Sequence, residues 1–457
     1  MIPVLLALSA AVLVRSLVSA RLDRWNVAAP VVMIAAGALA AMASRGVDLL
    51  PLVNTEVAQH IAEIILAVLL FIDATEVRGG RLWGRYPGIV GRLLLVAMPL
   101  SIAAAMVAGA LLLPGLSLPL LLLLACVVIP SDFAAAERVV RDPVLPARVR
   151  SVLNVESGYN DGLVSPVFLF ALILSGTRYP ERTPQEALAT ALPFALKAVL
   201  VGAALGAVLA TVLFSAQRAG WSTERSRRVA VLAVPVLTYA ATVAVDGNGF
   251  VASFVCGTVF RRVFQAKAIP LIRTATREDP DRRPVLAQDL RLLEDATGLL
   301  THAMWFVVGA AAVVVFAQGV SWQEVVFCVA ALTVLRIVPV VLSLAGTPMS
   351  GRDRFLVGAL GPRGTTSIVF GLLAVNGLAE GEVADTILSV TVLCVLGSAV
   401  LHGLGSAPLA RLLVRPRRRP EEPESPATAA GARVEPPLRR PTSSPVEGIH
   451  HRPDNEA

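Results

Sequence analysis

The sequence predicts an all-α polytopic membrane protein, a bundle of about thirteen transmembrane helices. Three observations carry that expectation. The composition is 55% hydrophobic and only 16% charged, whereas a soluble domain is about a quarter charged; the mean hydropathy is +0.71. The apolar residues arrive in runs of roughly 18–25, long enough to cross a hydrocarbon core of about 30 Å as helix. Arginines cluster between the runs, in every second connection. Backbone polar groups in lipid have no water to bond to, so repeated runs of this length imply helices packed into a bundle.

In chain order the expected spans are 2–19, 27–43, 56–74, 88–113, 118–138, 149–174, 187–215, 228–245, 249–264, 293–317, 322–345, 354–377 and 384–412. The first, MIPVLLALSAAVLVRSLVSA, ends in small residues like a signal peptide but lacks the basic stretch that precedes one. It is expected to stay as a spanning helix. One set of connections holds Arg21 and Arg24; Arg78, Arg81 and Arg85; Arg141, Arg148 and Arg150; Arg218, Arg225, Arg227 and Arg228; a long polar segment from Arg261 to Arg291; and Arg352 and Arg354. The alternate set holds only Arg45, Arg178 and Arg182. Basic loops stay in the cytoplasm, which places the N-terminus outside and the C-terminus inside. The loop around 265–291 is polar enough for a short surface helix. From Arg415 the chain is rich in Pro, Glu, Arg and Ser, and residues 415–457 are expected to be a disordered cytoplasmic tail. His450 and His451 belong to that tail and are not expected to bind metal.

The formal net charge of +7 does not point to nucleic acid, because the basic residues are short-loop topology determinants and not one basic, aromatic-interleaved face. Cys126, Cys256, Cys328 and Cys394 lie in apolar segments without CxxC spacing, and are expected as buried thiols.

Ionisable groups inside a membrane segment are costly, so each is a candidate for function. In LLLLLACVVIPSDFAAAERVV, Pro130 removes a backbone donor within a span and Ser131-Asp132 follow. Unwound backbone survives in a membrane only where it lines a cavity or is covered by protein, and broken helices of this kind build transporter ion sites. In SVLNVESGYNDGLVSPVFLF, Glu156, Asn160 and Asp161 fall on or beside one helical face, with Ser157 next to them. Arg336 lies in the middle of the eleventh span, and Arg363 sits in the break Gly361-Pro362-Arg363-Gly364. Guanidinium groups at such depth need carboxylates, and Glu156 and the two aspartates are the candidates. Arg15 and Arg92 are near enough to helix ends to snorkel. Glu56, His60 and Glu63 share one helical face, as an outer vestibule or as an interfacial cluster; Lys197, deep in the seventh span, is open between snorkelling and an oligomer contact.

Taken together, these residues resemble the monovalent cation/proton antiporters. Glu156-Ser157-Gly158-Tyr159-Asn160-Asp161 resembles their Gly-Glu-Ser-x-x-Asn-Asp motif, in the Asn-Asp form of the electroneutral sodium/proton exchangers. Ser131-Asp132 resembles the Thr-Asp of the first broken helix, Gly361 to Gly364 the Gly-x-Arg-Gly of the second, and Asn248-Gly249-Phe250-Val251-Ala252 with Gly257 a Ser-Gly-Phe-x-Ala…Gly helix. Two departures stand out: Phe133 replaces the usual proline, and Asn154-Val155 replace Glu-Gly. The resemblance spans about residues 5–410. It implies a transmembrane domain over 1–414 built as an inverted repeat, about 2–174 and 228–412, with a linker helix at 187–215 and two broken helices crossing at the midplane. It also implies a homodimer in the cell inner membrane, and a core bundle that moves against the dimer scaffold.

The function so implied is exchange of Na⁺ or Li⁺ for H⁺ by alternating access, one for one, with no cofactor. Asp161 would hold either a proton or the cation; Ser157, Ser131, Asn160 and Asp132 would complete the site, since a hard cation prefers oxygen ligands. Glu156 with Arg336 is expected as a structural ion pair, and Arg363 as compensation for the half-helix dipoles. A K⁺/H⁺ or non-selective exchanger is the alternative. A membrane enzyme would need a motif such as HExxH or a phosphate loop, which the sequence lacks; a channel would need a continuous polar stripe, whereas the polar groups cluster near mid-span.

Overall fold

The computed structural model describes residues 2–25, 27–43, 56–76, 83–133, 145–175, 183–274, 286–378 and 381–403, all within one compact unit, Met1–Arg415. The expected tail lies outside them, as do Arg45, Arg78, Arg81, Arg141, Arg178 and Arg182 of the loop pattern. Every regular element among the described residues is a helix. In chain order they are α1 (Ile2–Leu17), α2 (Ser19–Arg24), α3 (Ala29–Ala43), α4 (Glu56–Glu76), α5 (Pro87–Leu112), α6 (Leu118–Val128), α7 (Ala147–Leu174), α8 (Pro184–Arg218), α9 (Glu224–Val243), α10 (Gly249–Thr274), α11 (Leu286–Gln318), α12 (Trp322–Ser343), α13 (Gly351–Ala359), α14 (Thr365–Gly377) and α15 (Glu382–Gly403). Seven are long and apolar enough to cross a membrane, and four shorter apolar helices accompany them.

Local sequence accounts for the helix ends. Thr183 and Ser321 cap α8 and α12, each paired with a glutamate three residues on, Glu186 and Glu324, that reaches back to the cap. This satisfies donors that the first turn leaves open. Glycines then set how closely helices cross. On α8, a Cβ at Gly202 or Gly206 would overlap the backbone of Ala252 or Cys256 on α10, so these two helices touch backbone to backbone. Without a hydrophobic drive between helices in lipid, such close packing is a main source of association. The largest apolar core surrounds α6, with Leu123, Val127, Phe168, Phe370 and Val395 all buried. Phe168 of α7 stacks on Phe370 of α14 at 4.5 Å between ring centres, which holds those two helices side by side.

One expectation is corrected. The loop expected around 265–291 is shorter than that: α10 continues to Thr274 and α11 begins at Leu286. The reason is a periodicity that the charges mask. Phe260, Phe264 and Ala268 recur every fourth residue and are buried with Leu290 and Leu293, while Arg262 points outward. Arg227 reaches across to Asp289 at 3.3 Å and ties α9 to the start of α11. Residues 275–285 lie outside the described set.

Three departures from regular helix position the site. α6 stops at Val128, with Ile129 making its last helical bond to the Ala125 carbonyl, and residues 130–133 run on without α-helical bonding. The stretch 361–363, between α13 and α14, does the same. The two unwound strands meet, since the Asp132 N–H donates to the Pro362 carbonyl at 2.9 Å. α12 is broken at Thr333 (φ −125°, ψ −92°), one turn before Arg336. In addition, α5 carries a π turn at Leu93–Ala97, a distortion often found beside functional sites.

Candidate functional site

The unwound strands and the middle of α7 bring most of the candidate residues into one group. Ser131, Asp132, Glu156, Asn160, Asp161, Arg336 and Arg363 meet there through a few hydrogen bonds. Pro130 explains the first strand: it has no N–H to continue α6, and the chain beyond it needs other partners. Asn160 supplies one, its Nδ2 donating to the Ser131 carbonyl at 2.7 Å and to Ser131 Oγ at 3.0 Å.

Glu156 and Arg336 form a buried pair. Arg336 Nη2 lies 2.9 Å from Glu156 Oε1 and 3.0 Å from Oε2, and Ser131 Oγ donates a long bond of 3.5 Å to the same carboxylate. Both residues are 5% exposed or less. The guanidinium lies so close to Gly361 that a Cβ there would overlap its Nε. Glycine at 361 therefore admits Arg336, while Pro362 after it disfavours helix at that position.

Arg363 is wholly buried and has no carboxylate partner among the described residues. Its guanidinium instead donates to three carbonyls, those of Val128, Ala331 (3.1 Å) and Gly361 (2.8 Å). Each of these lies at or within about three residues of one of the helix breaks. One fixed cation thus covers acceptors left without a helical donor at the end of α6, at the break in α12 and between α13 and α14. The Arg363 backbone N–H donates to Ser398 Oγ at 2.6 Å. The Ser398 hydroxyl lies 3.3 Å from His402 Nδ1, and His402 Nε2 lies 3.1 Å from the Ala359 carbonyl at the end of α13.

Asp132 faces the N-terminus of α14. Its Oδ2 accepts from the Thr366 N–H at 3.3 Å, an anion at the positive end of a half-helix. Asp161 lies on the other side of Thr366. Its Oδ2 accepts from Thr366 Oγ1 at 2.6 Å, while Oδ1 is buried with no hydrogen-bond partner among the described residues. The residue is 2% exposed. Ser157 stands one turn before Asp161 on the same helical face, half-buried, with no hydrogen bond to the others among the described residues. Tyr159 and Gly162 pack against Phe254 of α10, the Tyr159 and Phe254 rings at 5.5 Å edge to face.

Sequence reasoning missed Thr366, Ser398 and His402. For Thr366 a signal existed: Thr365-Thr366-Ser367 is a run of hydroxyls directly after a helix break, at the start of an apolar helix. Ser398 and His402 carried only the i, i+4 spacing. Three outlying candidates find local explanations. Lys197 Nζ donates to the Val245 carbonyl at 2.9 Å, just past the end of α9. Arg92 Nη1 donates to the Ala345 carbonyl at 2.7 Å, just past the end of α12. Glu63 accepts from Tyr239 Oη at 2.9 Å and from Gln59 Nε2 at 2.8 Å; the Glu56 side chain lies outside the described set.

Comparison with known proteins bears on this arrangement. The family model described as "Sodium/hydrogen exchanger, transmembrane" matches residues 7–412. Among curated proteins none matches by sequence. The fold is similar to that of the sodium proton antiporter MjNhaP1 from Methanocaldococcus jannaschii at pH 8, with TM-score 0.69, 18% identity, and coverage of 90% of this chain and 100% of that one. An electron-microscopy structure of the same antiporter gives TM-score 0.65 and 17% identity, over 91% and 98% of the two chains.

Proposed function

The chain belongs to the sodium/hydrogen exchanger family, and from that premise we propose that it exchanges Na⁺, or Li⁺, for protons one for one at Asp161. The family is one of membrane transporters and not enzymes; its cations and protons are substrates, and no cofactor takes part. The observation that carries the proposal is the Asp161 carboxylate, buried, with one oxygen on the Thr366 hydroxyl and the other without a partner among the described residues.

A carboxylate in such surroundings is costly as a bare anion. It is stabilised either by a proton or by a cation at the open oxygen, and one excludes the other. Ser157, Ser131 and Asp132 are the nearby oxygen donors for the cation, and Asn160 acts by holding the Ser131 strand in place. If the site changes sides only when occupied, competition at one carboxylate becomes obligatory exchange. Asn160 adds no titrating group, which supports the one-for-one ratio. The same reading takes the chain as a homodimer of the cell membrane with the N-terminus outside. The alternation of basic loops supports that orientation.

Proteoliposomes loaded with a proton-sensitive dye test the proposal. Under a pH gradient, Na⁺ or Li⁺ should drive proton movement in the wild type, unchanged when valinomycin and K⁺ clamp the voltage, and lost in Asp161→Asn. A response to K⁺ alone would keep the mechanism and change the ion. No response to any monovalent cation between about pH 6 and 9 would refute the assignment.

A further inference from the structure

We propose that one fixed water molecule, bound between Asn160 and Arg336, closes a ring of hydrogen bonds that holds the Ser131 strand in place. A small cavity of about 10 Å³ lies on the Glu156 side of α7, between the π turn of α5 and the second half of α12. Ser101, Pro130, Glu156, Asn160 and Arg336 line it, with Ala97 from the π turn. Two of these carry a buried polar atom with no hydrogen-bond partner among the described residues: Asn160 Oδ1, an acceptor, and Arg336 Nε, a donor. Their residues are 2% and 4% exposed. Leaving either atom unmatched costs about 1–3 kcal/mol.

Size and charge select the occupant. About 10–15 Å³ is what one water needs, and the cavity is of that size. The Arg336 guanidinium disfavours a cation at the same place, and the Glu156 carboxylate disfavours an anion. Water satisfies both orphaned atoms at once, accepting from Arg336 Nε–H and donating to Asn160 Oδ1. The donor directions around the ring are consistent at every step. Arg336 donates to Glu156, Ser131 donates to Glu156, and Asn160 donates to Ser131. The water completes the circuit from Arg336 back to Asn160. Its second proton has the Ser101 hydroxyl as a candidate acceptor, since that buried side chain shares the cavity wall. Such rings are mutually reinforcing. The weakest link, Ser131 to Glu156 at 3.5 Å, gains most from closure.

This assigns a role to the π turn, which places Ala97 against the cavity. It also separates two faces of the site: the water ties Asn160 to the ion pair, while Asp161 stays on the far side facing Thr366. Asn160 and Arg336 are then positioning residues for the Ser131 strand. The inference rests on the proposed cation site only for its transport readout; the water itself is a property of the fold.

The test has two arms. A structure of the full chain in lipid nanodiscs, at a resolution where other buried waters are visible, should show one density peak within hydrogen-bonding reach of both Asn160 Oδ1 and Arg336 Nε. Ala97→Leu projects a larger apolar side chain into the cavity from the π turn. It should retain the wild-type melting temperature to within a few degrees while the KM for Na⁺ rises about tenfold, the equivalent of one buried hydrogen bond, with little change in maximal rate. Should Ala97→Leu misfold, the smaller Ala97→Val carries the same test. An absent peak among visible waters would overturn the proposal, as would a cavity-filling variant with wild-type KM. A chain that showed the water yet moved no cation would refute the transport assignment and leave this inference standing.

Discussion

Breaking the Glu156–Arg336 pair should be far more damaging than removing it. With Arg336→Met, Glu156 keeps the long bond from Ser131 and is left as a buried anion. Losing one partner of a buried pair costs about 3–5 kcal/mol. For a chain of this length that corresponds to a fall in Tm on the order of 5 °C. Glu156→Leu strands Arg336 instead, with a similar penalty. The double variant Glu156→Leu/Arg336→Met removes both charges and fills similar volume. Replacement of a buried pair by packed apolar groups is often neutral, so the double variant should recover most of the loss, retaining a deficit of about 1 kcal/mol for the Ser131 hydroxyl that loses its acceptor. Thermal unfolding of the four proteins in one detergent gives the coupling term directly. Losses that simply add, with the double variant as unstable as the sum of the singles, would refute the view of this pair as a coupled structural unit. Transport by the recovered double variant would argue further that neither charge carries the ion.

Two other substitutions separate contacts made within the site. Thr366→Val removes the hydroxyl bonded to Asp161 while leaving the backbone N–H that faces Asp132. The loss of one buried hydrogen bond to a charged group should raise the KM for Na⁺ by about tenfold or more, and Thr366→Ser should restore it; equal KM values for Val and Ser in the proteoliposome assay would count against the contact. Gly361→Ala puts a methyl group onto Arg336 Nε, and overpacking of this kind costs about 1–3 kcal/mol. Gly351→Ala has open space around it and should leave Tm unchanged, so matching melting curves for the two would show that the close approach of Arg336 is not tight.

Helices and site were legible in the sequence to different degrees, for physical reasons. Apolar runs and caps are local, so most helices lie within a few residues of where hydropathy places them. Intramembrane charge is also conspicuous locally, which is why Asp132, Glu156, Asp161, Arg336 and Arg363 stand out by their apolar neighbours alone. Their partners are another matter. Thr366 meets Asp161 across 205 positions of sequence, and a threonine at a helix start looks the same whether it caps, packs or binds. The carbonyl partners of Arg363 leave no trace in side-chain pattern at all, because acceptors on the backbone are the same in every residue. Arg92, expected to snorkel, bonds to the Ala345 carbonyl for the same reason. The α10 extension was hidden by charge: Arg261, Arg262 and Lys267 lower the hydropathy of a segment whose other face is apolar.

The arrangement of charge explains why the proposed exchange would be silent to voltage. Three carboxylates meet at the breaks, Asp132, Glu156 and Asp161, together with two guanidinium groups, Arg336 and Arg363. With all five ionised, the group carries one net negative charge. Glu156 is matched by Arg336 at 2.9 Å, and Asp132 faces the N-terminus of α14. Arg363 is spread over three carbonyls, and the unbalanced charge falls on Asp161. A proton brings the group to zero, and so does one monovalent cation. The two loaded forms then differ in mass and size but not in charge, so the membrane potential does no work on the difference between them. The empty ionised form is the exception. It carries a bare carboxylate through a low-dielectric interior, at a cost of several kcal/mol, and each 1.4 kcal/mol lowers its population about tenfold. On the proposed mechanism, leak through the empty site would be suppressed by the same burial that would make proton and cation compete. An aspartate in place of Asn160 would leave both loaded forms with one net negative charge unless it also took up a proton; a cycle of two protons for one cation would then sense voltage. Measured as the valinomycin sensitivity of Asn160→Asp beside the wild type, no change in voltage dependence would sink the charge argument even if Asp161 proved essential.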